Sequence, residues 1–324
     1  MKIAIDQGLK NALKPELARL NDRLESLAKE TDGYLGDLRS YVLIGSGKRV
    51  RPALVMLYAQ LGAADYEAVQ TVSLAVELVH IATLVHDDVI DKAALRRGRK
   101  TVVEEHGTDA AVLLGDHIYT WAFQKVAELN NPQVLGLLAR STSVMCAGEI
   151  DQLKRRFQFD LTEEEYFSFI YKKTASLFGT SAQSGAILAG QSPDIQKSAD
   201  LFGTHLGIAF QITDDLLDLT GEEAVVGKTL RTDLMNGKMT LPLIFLRNHA
   251  TPAEATSLFE SLQHPNGQIG ELVERMKTSG AIEYSQRAVD ENVRQAMEQL
   301  DKLPAGAVRD NLTSLAETLQ RRQA

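Results

Sequence analysis

Asp87-Asp88-Val89-Ile90-Asp91 and Asp214-Asp215-Leu216-Leu217-Asp218 repeat one acidic pattern, D-D-x-x-D, inside otherwise apolar stretches. On a helix, residues four apart share a face one turn along the axis, so Asp87 points with Asp91 and Asp214 with Asp218. Like charges at that spacing destabilise an isolated helix by roughly 0.2–0.5 kcal/mol, and unpaired carboxylates in apolar surroundings cost more. One such pentad is explained by a solvated acidic face or by nearby arginines. Two with the same spacing, both in hydrophobic helical sequence, call for a cation. Mg²⁺ suits them, because it takes one or two carboxylates and completes its shell with water and phosphate oxygens. Zinc does not, since no cysteine or paired-histidine spacing accompanies the acids. Two facing carboxylate clusters bridged by Mg²⁺ would grip a diphosphate.

The basic residues that would meet that diphosphate are also grouped. Gly45-Ser-Gly-Lys-Arg-Val-Arg-Pro52 is a glycine-relaxed loop carrying Lys48, Arg49 and Arg51, and Pro52 suits the first turn of a following helix. Taken alone, it is as well explained by a solvated turn. Arg96 and Arg97 follow the first pentad at once, where guanidinium forks could meet the same anion. His80 stands seven residues before Asp87, about 10 Å along one helical face; a lone histidine is more often a satisfied core residue, but this one lines up with the acids. Lys172-Lys173-Thr174, Lys228 and Lys238 supply further donors, and Gln211 shares the face of Asp218. The stretch from Gly221 to Thr229 mimics a phosphate-binding P-loop. It has five residues between its glycines and a helix before it, so that reading fails.

The elements that must position these groups are helical from end to end. Leu20, Leu24 and Leu27, then Leu54, Leu57 and Leu61, then Val72, Val76 and Val79 recur at helical spacing. Breaks are expected at 45–47, 62–65, Gly98, 130–132, 191–193 and 264–267. Thr162-Glu-Glu-Glu165 has capping-box spacing and should open a helix running through Phe178. Convincing alternating strands and internal repeats are absent. The expectation is an all-α fold, a single domain over 1–324 of roughly ten or more helices, with ligand groups facing inward.

Composition narrows the function. A net charge of −8 argues against a nucleic-acid partner, so any anion must be held by local basic clusters. With 44% hydrophobic residues a sizeable core is within reach. The single cysteine, Cys146, excludes an intramolecular disulfide and reads as a small buried side chain. The N-terminal sequence lacks an apolar signal region, and no stretch approaches about 20 uninterrupted apolar residues. A cytoplasmic protein without a transmembrane segment is expected, leaving peripheral release of a product at a membrane open.

These motifs resemble the trans-isoprenyl diphosphate synthases, or polyprenyl synthetases, over nearly the whole chain. "GSGKRVRP" resembles GGKRxRP with serine for one glycine, and "ELVHIATLVHDDVIDKAALRRGRKT" resembles the first aspartate-rich motif with its arginines. "GEIDQL", "YKKTASLF", "QITDDLLD" and "GKTLRTDLMNGKMTLPL" follow in family order. The chain departs from the pattern at Lys100, usually proline, and at Glu104, often asparagine. The resemblance implies a bundle of long helices around a central cavity, usually a homodimer, that condenses an allylic prenyl diphosphate with isopentenyl diphosphate using Mg²⁺, with Mn²⁺ able to substitute. It implies Asp87, Asp91 and Asp214 as metal ligands, with Asp88, Asp215 and Asp218 in the same catalytic motifs. Arg96, Lys173, Thr174, Gln211, Lys228 and Lys238 would contact the allylic diphosphate. Lys48, Arg51, His80 and Arg97 would bind isopentenyl diphosphate.

The chemistry so implied is electrophilic and needs no protein nucleophile, which fits the lack of a nucleophile–base pair. In this family the residues four and five before the first aspartate line the start of the product tunnel. Here they are Thr83 and Ala82, with Val79 deeper, and none is a large aromatic. A product of C30 to C50 is expected, with a C15 to C20 synthase as the alternative. A class I terpene cyclase would not need the second diphosphate set of Lys48, Arg51 and His80. A non-catalytic subunit of a heteromeric synthase would be expected to lose an aspartate motif, whereas a catalytic subunit would keep both.

Overall fold

The computed structural model describes residues 7–45, 47–96, 98–221, 232–263 and 269–320. Arg97 and Lys228, both expected at the site, lie outside the described residues.

The fold is organised on α4, Tyr66–Ile90. Asp65 caps it by accepting from the Ala68 N–H at 2.7 Å. Every residue from Val69 to Val79 is buried, as expected of a helix apolar on all sides and enclosed by others. Its neighbours are α3 (Val50–Ala59), α6 (Thr108–Ala127) and α9 (Ser176–Leu188). In length and hydropathy α4 could cross a bilayer, closer to a span than the sequence suggests, but 78% of its apolar window is buried inside the protein. Its far end carries the first acidic pentad.

The second pentad ends α10, Pro193–Thr220, which lies against α9 and α15 (Ala281–Leu300). Close helix approach makes this packing possible. A Cβ on Gly203 of α10 would fall 2.4 Å from the Phe178 carbonyl oxygen of α9, and one on Gly185 of α9 would fall 2.4 Å from the Val55 oxygen of α3. Around this inner set run α1 (Gln7–Lys29), α2 (Gly33–Leu43), α5 (Val102–His106), α7 (Pro132–Arg155), α8 (Glu163–Ile170), α11 (Thr232–Met235), α12 (Leu241–Asn248), α13 (Pro252–Gln263), α14 (Ile269–Thr278) and α16 (Ala307–Gln320). Buried side chains from most of these helices merge into one contiguous apolar cluster.

The expected breaks fall between helices wherever they are described. Asn131 caps α7 through the Val134 N–H at 3.1 Å, and Ser192 caps α10 ahead of Pro193. Thr162 and Glu165 form the capping box at α8. The helix it opens does reach Phe178, but through a π-helical turn at Tyr171–Ala175. Two expectations need correcting. A two-residue hairpin, β1 (Leu95–Arg96) with β2 (Arg99–Lys100), turns at Gly98 with φ 75°; it is too short for alternation to be visible in sequence. Cys146 is exposed, because the buried stripe of α7 is Val134, Leu138, Ser141, Met145 and Gly148, and residue 146 falls one step off it.

Candidate active site

At the end of α4, helical geometry sends adjacent carboxylates to different partners. Asp88 is buried and accepts from the Arg96 Nε at 2.8 Å, tying the β-hairpin back to the helix. Asp87 and Asp91 face the other way, towards two lysines delivered by distant segments. Lys173 Nζ lies 3.7 Å from Asp87, and Lys238 Nζ lies 3.1 Å from Asp91.

Lys173 comes from the π turn. Neighbouring lysines there take different partners: Lys172 pairs with Asp151 on α7 at 2.7 Å, while Lys173 points inward. Its ammonium sits 2.6 Å from Glu149 and 3.5 Å from the Gln152 Oε1, both on α7. The next residue, Thr174, donates to the Gln211 Oε1 at 2.7 Å, and the Gln211 amide donates to Asp215 at 2.8 Å. Tyr166 completes this network with a 2.7 Å hydrogen bond to the other Asp215 oxygen. Asp218 is likewise committed, accepting from the Thr232 hydroxyl and the Asp233 N–H, each at 3.2 Å. Asp215 and Asp218 are thus buried and anchored, whereas Asp214 keeps a partly exposed side chain.

Lys238 also reaches Asp233 at 3.3 Å. A cavity of about 60 Å³ opens between these groups, bounded by Lys173, Gln211, Asp215, Asp233, Lys238 and Arg156.

The second basic group divides on inspection. Arg49 is a structural residue: with φ 50° it turns inward, pairs with buried Glu77 at 2.5 Å and donates to Asn21 and the Gly45 carbonyl. Lys48 and Arg51, on either side, keep partly exposed side chains. Arg51 stacks over the Phe178 ring at 4.5 Å, and its Nε is sealed without a hydrogen-bond partner. His80 is partly exposed on the face that Asp87 shares. Of the three residues expected to set product length, Thr83 is partly exposed and donates to the His80 carbonyl at 2.7 Å. Val79 and Ala82 are fully packed.

The electrostatics follow from this arrangement. Burial raises the Asp87 carboxyl above its ordinary range, against the pull of Lys173. Burial works on Asp91 too, but Lys238, Lys173 and Arg156 outweigh it and leave that carboxyl below its ordinary range. Burial disfavours both ammonium groups, yet Asp87 and Glu149 raise Lys173, and Asp233 and Asp91 raise Lys238, so both stay charged. Burial, then Asp233, pushes Asp215 upward. Arg51 is lowered to about 10 by burial, with Glu77 opposing, and stays cationic near neutrality.

Among the described residues, no three carboxylate, imidazole or thiol groups converge closely enough to hold an ion alone. Asp87 and Asp91 share one face and are held by the lysines and Arg156, Asp214 is partly exposed, and Asp88, Asp215 and Asp218 are buried and hydrogen-bonded to protein groups. This donor set fits a hard cation that completes its shell with water and phosphate oxygens.

Sequence reasoning overlooked Glu149, Gln152, Arg156, Tyr166 and Asp233. Glu149 and Gln152 lie in the "GEIDQL" stretch, three apart on one face of α7, and Asp233 lies in "GKTLRTDLMNGKMTLPL". Arg156 and Tyr166 carry no such signal, because only the tertiary approach of the end of α7 and of α8 brings them in.

A polyprenyl synthetase family model matches residues 33–278. The chain is 37% identical to heptaprenyl diphosphate synthase component 2 of Geobacillus stearothermophilus, over 94% of this chain and 95% of that one. It is also 37% identical to the octaprenyl diphosphate synthase of Escherichia coli K12, over 90% and 91%. The crystal structure of a Caulobacter crescentus polyprenyl synthase, complexed with calcium and isoprenyl diphosphate, superposes with a TM-score of 0.92 at 31% identity, covering 98% of each chain. Matched by the family model over most of its length and similar to these proteins from end to end, the chain belongs to the polyprenyl synthetase family of prenyltransferases.

Proposed function

We propose that this chain lengthens an allylic prenyl diphosphate by head-to-tail addition of isopentenyl diphosphate, giving an all-trans product of C30 to C50. The observation that carries this reading is the arrangement of Asp87 and Asp91 facing Lys173 and Lys238. The chain sits among relatives named for heptaprenyl, octaprenyl and nonaprenyl products, which supports a long product.

Asp87, Asp91 and Asp214 would hold Mg²⁺, or Mn²⁺ in its place. When bound, the metal supplies Lewis-acid stabilisation of charge on the departing diphosphate. The chain's own residues supply the rest. Lys173, Lys238 and Arg96 offer fixed positive charge to the allylic diphosphate, with Lys228 as a further contact, and charge placed in advance in a site with little water needs no reorganisation as the bond breaks. Thr174 and Gln211 orient that group, and the pairing of Gln211 with buried Asp215 fixes its amide. Lys48, Arg51, His80 and Arg97 hold isopentenyl diphosphate so that its double bond attacks the allylic carbon as the C–O bond breaks. The proton lost from the condensed chain passes to the released diphosphate. Thr83, with Ala82 and Val79 packed behind it, sets the start of the path of the growing chain, and the enzyme works as a homodimer.

A second reading, favoured by the likeness to a protein named as component 2 of a synthase, is the catalytic subunit of a two-component enzyme. Incorporation of labelled isopentenyl diphosphate into farnesyl diphosphate by the chain expressed alone tests both. Elongated product from the chain alone supports the first reading and excludes the second. Consumption of the allylic diphosphate without incorporation overturns prenyl transfer and points to cyclisation.

A further inference from the structure

Arg156 lies outside every sequence motif that points to this site, yet its guanidinium reaches the first acidic pentad. It stands one residue beyond α7, where the backbone leaves the helix. Its Nη2 donates to Asp91 Oδ1, its Nη1 approaches the Ile90 carbonyl at 3.4 Å, and its Nε is buried without a partner. The corner that carries it is firmly held. Phe157 adopts φ 59°, its N–H donates to the Gly237 carbonyl at 2.9 Å, and its ring covers Gly237 so closely that a Cβ there would fall 2.4 Å from it. Gly237 immediately precedes Lys238, which holds the other Asp91 oxygen. Two cation-bearing corners, from opposite walls of the site, are stapled together over one carboxylate.

A cation bound at Asp91 would displace Arg156 from the one carboxylate that pairs with it among the described residues. A largely buried guanidinium deprived of its carboxylate is strongly disfavoured unless another anion replaces it. The anion at hand is a diphosphate, and the Arg156 fork can take two of its oxygens. We propose that Arg156 is an additional allylic-diphosphate contact, held on Asp91 until metal and substrate arrive and then transferred to the phosphate oxygens. This inference rests on prenyl transfer at this site.

Arg156→Met and Arg156→Lys test it by two measurements. Calorimetric titration with inorganic pyrophosphate in saturating Mg²⁺ should show weaker binding to Arg156→Met by about tenfold or more, the scale of one charge-assisted hydrogen bond. Arg156→Lys should recover part of the loss. In steady-state assays, the KM for the allylic diphosphate should rise in parallel while that for isopentenyl diphosphate stays within about twofold. Unchanged pyrophosphate affinity in Arg156→Met, or equal rises in both KM values, would overturn the assignment. The titration does not require turnover, so failure of this inference is distinguishable from failure of prenyl transfer.

Discussion

Asp87 and Asp88 are neighbours on α4, but about 100° of helical rotation separates them, and that rotation decides their work. Asp88 spends its charge on Arg96 and fixes the hairpin, whereas Asp87 faces Lys173. Asp87→Ala should therefore lower kcat at saturating Mg²⁺ by about a hundredfold or more, the scale of losing one preorganised electrostatic group. Near-normal turnover in that variant would remove Asp87 from the site. Much of this was legible from spacing alone, since the pairing of Asp87 with Asp91 on one face needs only the helical period. The partners were not. Arg156 reaches Asp91 from 65 residues away and Lys238 from 147, and no local pattern specifies contacts at that range. Arg49 shows the opposite failure: it reads like its basic neighbours, but the buried Glu77 one helix away claims it.

At the scale of elements, the helix boundaries were readable because they depend on local chemistry. The caps at Asn131, Thr162 and Ser192 each satisfy an N–H that the first helical turn leaves unpaired. The π turn at Tyr171–Ala175 was not readable, since its sequence is compatible with an ordinary helix; tertiary packing against α7 and α10 accompanies the wider turn. The turn carries Lys173 and Thr174, which face the site, and Lys172, which pairs with Asp151. Beyond it, α9 and α10 approach closely at Gly203. Gly203→Ala should push these helices apart and lower unfolding stability by about 1–3 kcal/mol, the cost of overpacking a tight contact. Urea denaturation followed by circular dichroism measures this, and an unchanged midpoint would contradict the packing argument.

For the whole molecule, the long buried helix α4 carries both the acidic groups of the candidate site and the residues proposed to set product length. Its final turn presents Asp87 and Asp91, and the turns before it carry Thr83, Ala82 and Val79 away from that centre. The sequence alone indicated small side chains there, and the packing adds that Ala82 has no exposed surface. A phenyl ring at 82 must therefore displace neighbouring groups. Ala82→Phe should shorten the product without abolishing the first condensation, at a stability cost of about 1–3 kcal/mol. Full-length product from that variant would separate residue 82 from length control. The most direct test of the central claim is chromatographic sizing of products made by the purified chain from farnesyl diphosphate, isopentenyl diphosphate and Mg²⁺. All-trans products ending between C30 and C50 are expected, and termination at C20 would overturn the long-chain assignment.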